Sequence, residues 1–140
     1  MSELLLALVK ECLVPALEPL GFSVLDSDVS ASFDDAIVTL RAPNLGLRIV
    51  RDRSLLFADF GPASGPQSWY DSAVVIDYLG LSAQAGFHDR NARAVLAGVG
   101  SFVRAYQAEL EMRFSPAYLA TTTAALTALK NARAEARFSY

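Results

Sequence analysis

Histidine and cysteine are almost missing from this 140-residue chain: it has one of each, His88 and Cys12. A single cysteine rules out an intramolecular disulfide and fits a reducing compartment. One histidine and one cysteine cannot build a multi-histidine or Cys₂His₂ metal site. Cys12 falls on an apolar helical stripe with Leu5 and Val9, with Leu8 and Leu13 close by. That placement reads as a core thiol, since an activated thiolate needs basic neighbours, and none adjoins it in sequence. A Cys12–His88 catalytic pair would have to lodge its nucleophile in that apolar face.

Lysine is also scarce, with two against ten arginines, and the net charge is −3. No basic stripe offers itself to nucleic acid or to an anionic membrane. No uncharged apolar run reaches the ~18 residues of a membrane span. The apolar N-terminus, Leu4 to Val9, has no basic residue ahead of it, and Lys10 and Glu11 interrupt it, so it does not read as a secretory leader. The expected location is the cytoplasm.

Nucleotide and acyl-transfer signatures are missing as well. There is no Gly-Lys-Ser/Thr ending of a phosphate loop. Ser64, within Gly-Pro-Ala-Ser-Gly-Pro, lacks the Gly-x-Ser-x-Gly spacing. Gly98-Val99-Gly100-Ser101 falls inside a helical pattern with no strand before it, which does not suit a dinucleotide turn. Asp26-Ser27-Asp28-Val29-Ser30 opens like a calcium loop. Ala31 then holds the glycine position and Ile37 the bidentate glutamate position. No catalytic residue, metal site or cofactor is expected.

What the chain does have is apolar bulk: 53% of residues are hydrophobic and 19% charged. That is enough to offset chain entropy and build a self-sufficient core. The length suits one domain, residues 1–140. The spacing predicts a helix over 3–14, limited by Pro15 and Pro19 and stopped by Gly21. Strands are predicted at 22–27, 34–41, 45–51 and 54–60, and a short helix over 71–78, capped by Asp71 or Ser72. Two long helices follow, one from a cap at Asp89 to Arg113 and one from Pro116 to Arg137. The pattern is α+β: an N-terminal helix, a four-stranded antiparallel meander, a short helix and a long C-terminal helical hairpin.

Turn chemistry predicts the strand register. Ala42-Pro43-Asn44-Leu45 places Leu40 opposite Leu47 and Val38 opposite Ile49. A turn at Arg51-Asp52-Arg53-Ser54 with Arg51 paired to Ser54 places Ile49 opposite Leu56 and Leu47 opposite Ala58. One face then collects Phe22, Val24, Val38, Leu40, Leu45, Leu47, Ile49, Leu56 and Phe60.

The other face is mixed. It carries Leu25, Ile37, Val50, Leu55 and Phe57 beside Arg41, Arg48 and Asp59. Aspartate is disfavoured in a strand. The expected register sets Asp59 opposite Gly46, with Arg41 opposite Gly46 on the other side, about 9.6 Å away. An Arg41/Arg48–Asp59 ionic cluster follows. With Trp69 and Tyr70 just beyond the sheet edge, such a face suits a protein partner. The expected partner-binding residues are Arg41, Arg48, Phe57, Asp59, Trp69 and Tyr70. The alternative is a small-molecule binder or enzyme with a pocket between sheet and helices, holding Asp59, an arginine and Tyr70. A homodimer through the long C-terminal helices, where alanine and threonine allow close approach, is a third option.

The run from Leu45 to Phe60, followed by Trp69-Tyr70-Asp71 and Val74-Val75-Ile76-Asp77-Tyr78-Leu79-Gly80, resembles small uncharacterised bacterial proteins, some grouped with polymorphic-toxin immunity proteins. The similarity covers roughly residues 20–80. It departs at Ser54, where those proteins often have glycine, and it leaves out the C-terminal helices. The resemblance implies an inhibitor that works by binding.

Overall fold

The computed structural model describes residues 2–29, 35–63, 68–81 and 86–138. The calcium-like stretch beyond Val29, with Asp34, and Ser64 of the Gly-Pro loop lie outside the described residues. The fold is α+β, as the segregation of helix and strand signals predicts. Helices α1 (Ser2–Cys12) and α2 (Val14–Leu17) are separated at Leu13, and Pro15 sits in the first turn of α2, where a missing N–H does no harm. A single 3₁₀ turn, Glu18–Leu20, ends at Gly21, whose φ of 91° is the left-handed stop that glycine supplies.

Strands β1 (Ser23–Val29), β2 (Ala36–Arg41), β3 (Leu45–Asp52) and β4 (Leu55–Pro62) form the antiparallel meander. Two strands escaped the sequence reading: β5 (Tyr70–Asp71) and β6 (His88–Asp89), both on the far side of β4. At two residues each they are too short to show a period. Helix α3 (Ser72–Tyr78) starts at Asp71, whose carboxylate accepts from the Ala73 N–H at 2.8 Å. Helix α4 (Ala92–Arg113) is capped by Asn91, not by Asp89, which instead accepts from the Arg90 N–H. Helix α5 (Leu119–Phe138) begins three residues after Pro116.

The β2–β3 register matches the turn chemistry: Leu40 faces Leu47, Val38 faces Ile49, and the Ala42 N–H donates to Leu45 O at 2.9 Å. The β3–β4 register differs by two residues. Asp52 pairs with Leu55, so Ile49 faces Ala58 and Leu47 faces Phe60. The turn is the two-residue Arg53-Ser54, with φ of 52° and 72°. That is the type I′ pattern, whose twist matches paired strands, built here without glycine. A slip of two preserves the faces, so the predicted core face stands. Val38, Leu40, Leu45, Leu47, Ile49, Leu56 and Phe60 are all buried, with Phe22 beside them. Each buried apolar side chain contributes about 1.5–3 kcal/mol.

Leu5, Val9, Leu13 and Leu17 cover this face from α1 and α2, and Val95, Leu96, Val99, Phe102, Val103 and Leu110 from α4. The two long helices follow one another across a short turn, but α4 packs on α1, α2 and β4, while the chief partner of α5 is α3. Arg113 anchors that junction. Its guanidinium donates to Tyr78 Oη at 2.8 Å and to Glu109, and its carbonyl accepts from buried Thr122 Oγ1 at 2.6 Å. No described helix is long and apolar enough to cross a membrane.

Candidate functional site

Among the described residues, the helices pack on one face of the sheet and none covers the other. On this outer face β2 contributes Ile37, Thr39 and Arg41, β3 contributes Gly46, Arg48 and Val50, and β4 contributes Leu55, Phe57, Asp59 and Gly61. The two-residue register change decides who meets whom. Asp59 sits directly opposite Arg48, not Gly46. Its Oδ2 accepts from Arg48 Nε at 3.1 Å and Nη2 at 2.6 Å.

Arg41 is not part of this pair. It lies on the same face opposite Gly46, one row removed along the strands, about 6.6–6.8 Å. The space it was expected to cross is filled by Trp69. Gly46 and Gly61 are paired residues of β3 and β4. A Cβ on Gly46 would come within 3.1 Å of Trp69 Cη2, and one on Gly61 within 3.3 Å of Trp69 Cε3. The indole therefore lies over a trough that only a glycine pair leaves open. Arg48 Cζ stands 4.9 Å from the centre of that ring, a cation–π contact. Trp69, Arg48 and Asp59 thus form one stack: ring, guanidinium, carboxylate.

The stack is unevenly buried. The Asp59 side chain is 8% exposed and that of Arg48 28%. Burial pushes the Asp59 carboxyl above its ordinary range, and it outweighs the downward pull of Arg48. Asp71, its register partner on β5, adds to the rise, and Lys130 of α5 opposes it.

No family model, curated protein or solved structure matches this chain. The site is therefore read from its own geometry. Phe57 lies half-buried on the same face, its ring 6.0 Å from that of His88. Tyr70 does not belong to the face. It pairs with Phe60, points to the inner side and meets Thr127 Oγ1 at 3.0 Å. Asp59 and Tyr70 therefore do not share a cavity. Cys12 is half-buried, with Arg93 Nη1 3.4 Å from its sulfur, a basic neighbour 81 positions away that sequence adjacency could not reveal. His88 lies on the outer face, against Phe57.

Two adjoining grooves run along the outer face. One, of about 270 Å³, is lined by Leu25, Asp26, Ile37, Thr39, Arg48 and Trp69 among others. The other, of about 310 Å³, is lined by Asp35, Ala36, Ile37, Val50 and Asp52 among others. Both mix apolar side chains with carboxylates, and each holds an arginine, Arg48 in the first and Arg51 in the second. Among the described residues no group of three or more His, Cys, Asp or Glu side chains is arranged to hold a metal. Sequence reasoning missed Gly61, Asp71, Asp26 and Lys130 as parts of this surface. The pairing of two strand glycines was the available signal, obscured by the assumed turn.

Proposed function

We propose that this chain is a cytoplasmic, non-catalytic protein-binding module of the toxin-immunity type that its sequence resembles, acting by occlusion through the outer sheet face. The observation that carries the reading is the Trp69–Arg48–Asp59 stack on a face to which no described helix docks. Neighbouring Ile37, Val50 and Phe57 leave that face half-apolar. Aromatic and arginine anchors set among apolar neighbours are what interface centres are made of. Arg48 and Asp59 satisfy one another, so the pair supplies a rigid platform and no free acid or base.

Affinity capture from extracts of the native host tests the reading. Thr39→Arg alters the middle of the outer face, and Ala124→Arg alters exposed α5. The account expects the captured protein to be lost with Thr39→Arg and retained with Ala124→Arg. The reverse pattern contradicts it. Sedimentation at two concentrations separates this reading from self-association through the exposed alanines of α5.

A further inference from the structure

We infer that the partner presents a basic segment in extended conformation, added as a further strand alongside β1. The inference rests on the outer face being the docking surface, and it names the chemistry of what docks there. Among the described residues, β1 has a neighbour on one side only, β2, whereas the opposite side of β4 is taken by β5 and β6. An open strand edge offers a row of backbone donors and acceptors, and strand addition is how such an edge is used in recognition.

Side chains beside that edge select the occupant. The register of β1 shifts between Val24 and Asp26, so Leu25 bulges outward and is 53% exposed. Asp26 then pairs with Thr39, which sets it on the outer face at the mouth of the first groove. The groove floor is Ile37 and Thr39, and the arginine within it, Arg48, is already held by Asp59. A second copy of β1 laid antiparallel would bring aspartates toward aspartates, which destabilises a strand pair. A strand alternating Lys or Arg with apolar residues meets the opposite condition. Its basic side chains fall together on the outer face, where they reach Asp26, and its apolar ones turn to the opposite face beside Val24. The chain's net charge of −3 steers the same partner.

A displayed library of random twelve-residue peptides, selected on the wild-type protein, tests this. Trp69 is the sole tryptophan, so its emission reports occupancy of the groove it lines. The inference expects enriched peptides of net positive charge, with basic residues at every second position, that shift Trp69 emission. It expects them to lose affinity by about tenfold or more against Asp26→Lys, an exposed position whose replacement leaves the core untouched. Neutral or acidic peptides that still shift Trp69 would overturn the basic strand and leave the outer-face reading standing. Basic peptides that bind Asp26→Lys as well as wild type would overturn it too. If no enriched peptide moves Trp69 emission, both readings fall.

Discussion

Asp59 receives two hydrogen bonds from Arg48 across the β3–β4 pair, and both arrive at the same oxygen, Oδ2, at 3.1 and 2.6 Å. The pair lies at the middle of the outer face, with the arginine half-open and the carboxylate nearly enclosed. Its titration and its removal are therefore the first places to test how the face is built.

Burial raises the Asp59 carboxyl above the ordinary aspartate range, so the folded chain holds that proton more tightly than the unfolded one. The sign follows from linkage. Its contribution is fully present below the unfolded value and is lost as pH rises through the folded one. Denaturation at a series of pH values from about 4 upward should show wild type losing stability relative to Asp59→Asn. An opposite slope would mean that Arg48, not burial, dominates.

Removing one member of the pair should cost more than removing both. Arg48→Met leaves an enclosed carboxylate without its donor, at about 1–3 kcal/mol. Arg48→Met with Asp59→Leu should recover most of that loss, because a buried ion pair is often matched by apolar isosteres. Urea denaturation of the two singles and the double gives the coupling directly. Additive losses would show that the two side chains do not act together.

Gly61 is the tightest point under Trp69. A Cβ there would lie 2.2 Å from the Ser68 carbonyl oxygen, which is backbone and cannot swing away. Gly61→Ala should destabilise by about 1–3 kcal/mol and red-shift Trp69 emission as the indole is levered off. An unchanged emission maximum would mean the ring does not depend on the glycine trough.

The Arg53-Ser54 turn holds two non-glycine residues at positive φ, 52° and 72°. Left-handed backbone costs an L-residue roughly 1–2 kcal/mol. Ser54→Gly removes that cost at the price of extra unfolded-state freedom, so a net gain of about 0.5–1 kcal/mol is expected. Thermal unfolding checks it, and a lower midpoint would show that Ser54 makes a compensating contact.

Thr122 is buried, and its hydroxyl satisfies the Arg113 carbonyl at the end of α4. Thr122→Val keeps the shape and orphans that acceptor, at about 1–3 kcal/mol. A loss of that size in chemical denaturation would locate the α3–α4–α5 junction within the cooperative fold. A neutral result would mean α5 unfolds separately.

The sequence carried the inner face apart from Val24, which is only half-buried, because a strand's period of two survives an even slip. Phe22 and the apolar positions from Val38 to Phe60 were therefore legible despite the misplaced turn. The outer face was legible in composition but not in pairing. A turn closed by Arg51 and Ser54 sets Asp59 opposite Gly46 and draws Arg41 into the cluster; the observed Asp52–Leu55 pairing undoes both. Positive φ at Arg53 and Ser54 runs against ordinary residue preference, and tertiary pairing overrides it here. Trp69 was legible as an anchor, but its seat depends on pairing Gly46 with Gly61, 15 positions apart, and that pairing follows from the same turn. Tyr70 fell on the wrong side because β5 is too short to show alternation.

The central claim is that the partner docks on the outer sheet face. A photo-crosslinking side chain placed at Thr39, with the same group at Ala124 as a reference, tests it most directly. Irradiation of the captured complex should join the partner to position 39 and not to position 124. Crosslinks from position 124 with none from position 39 would place the partner on α5 and contradict the account.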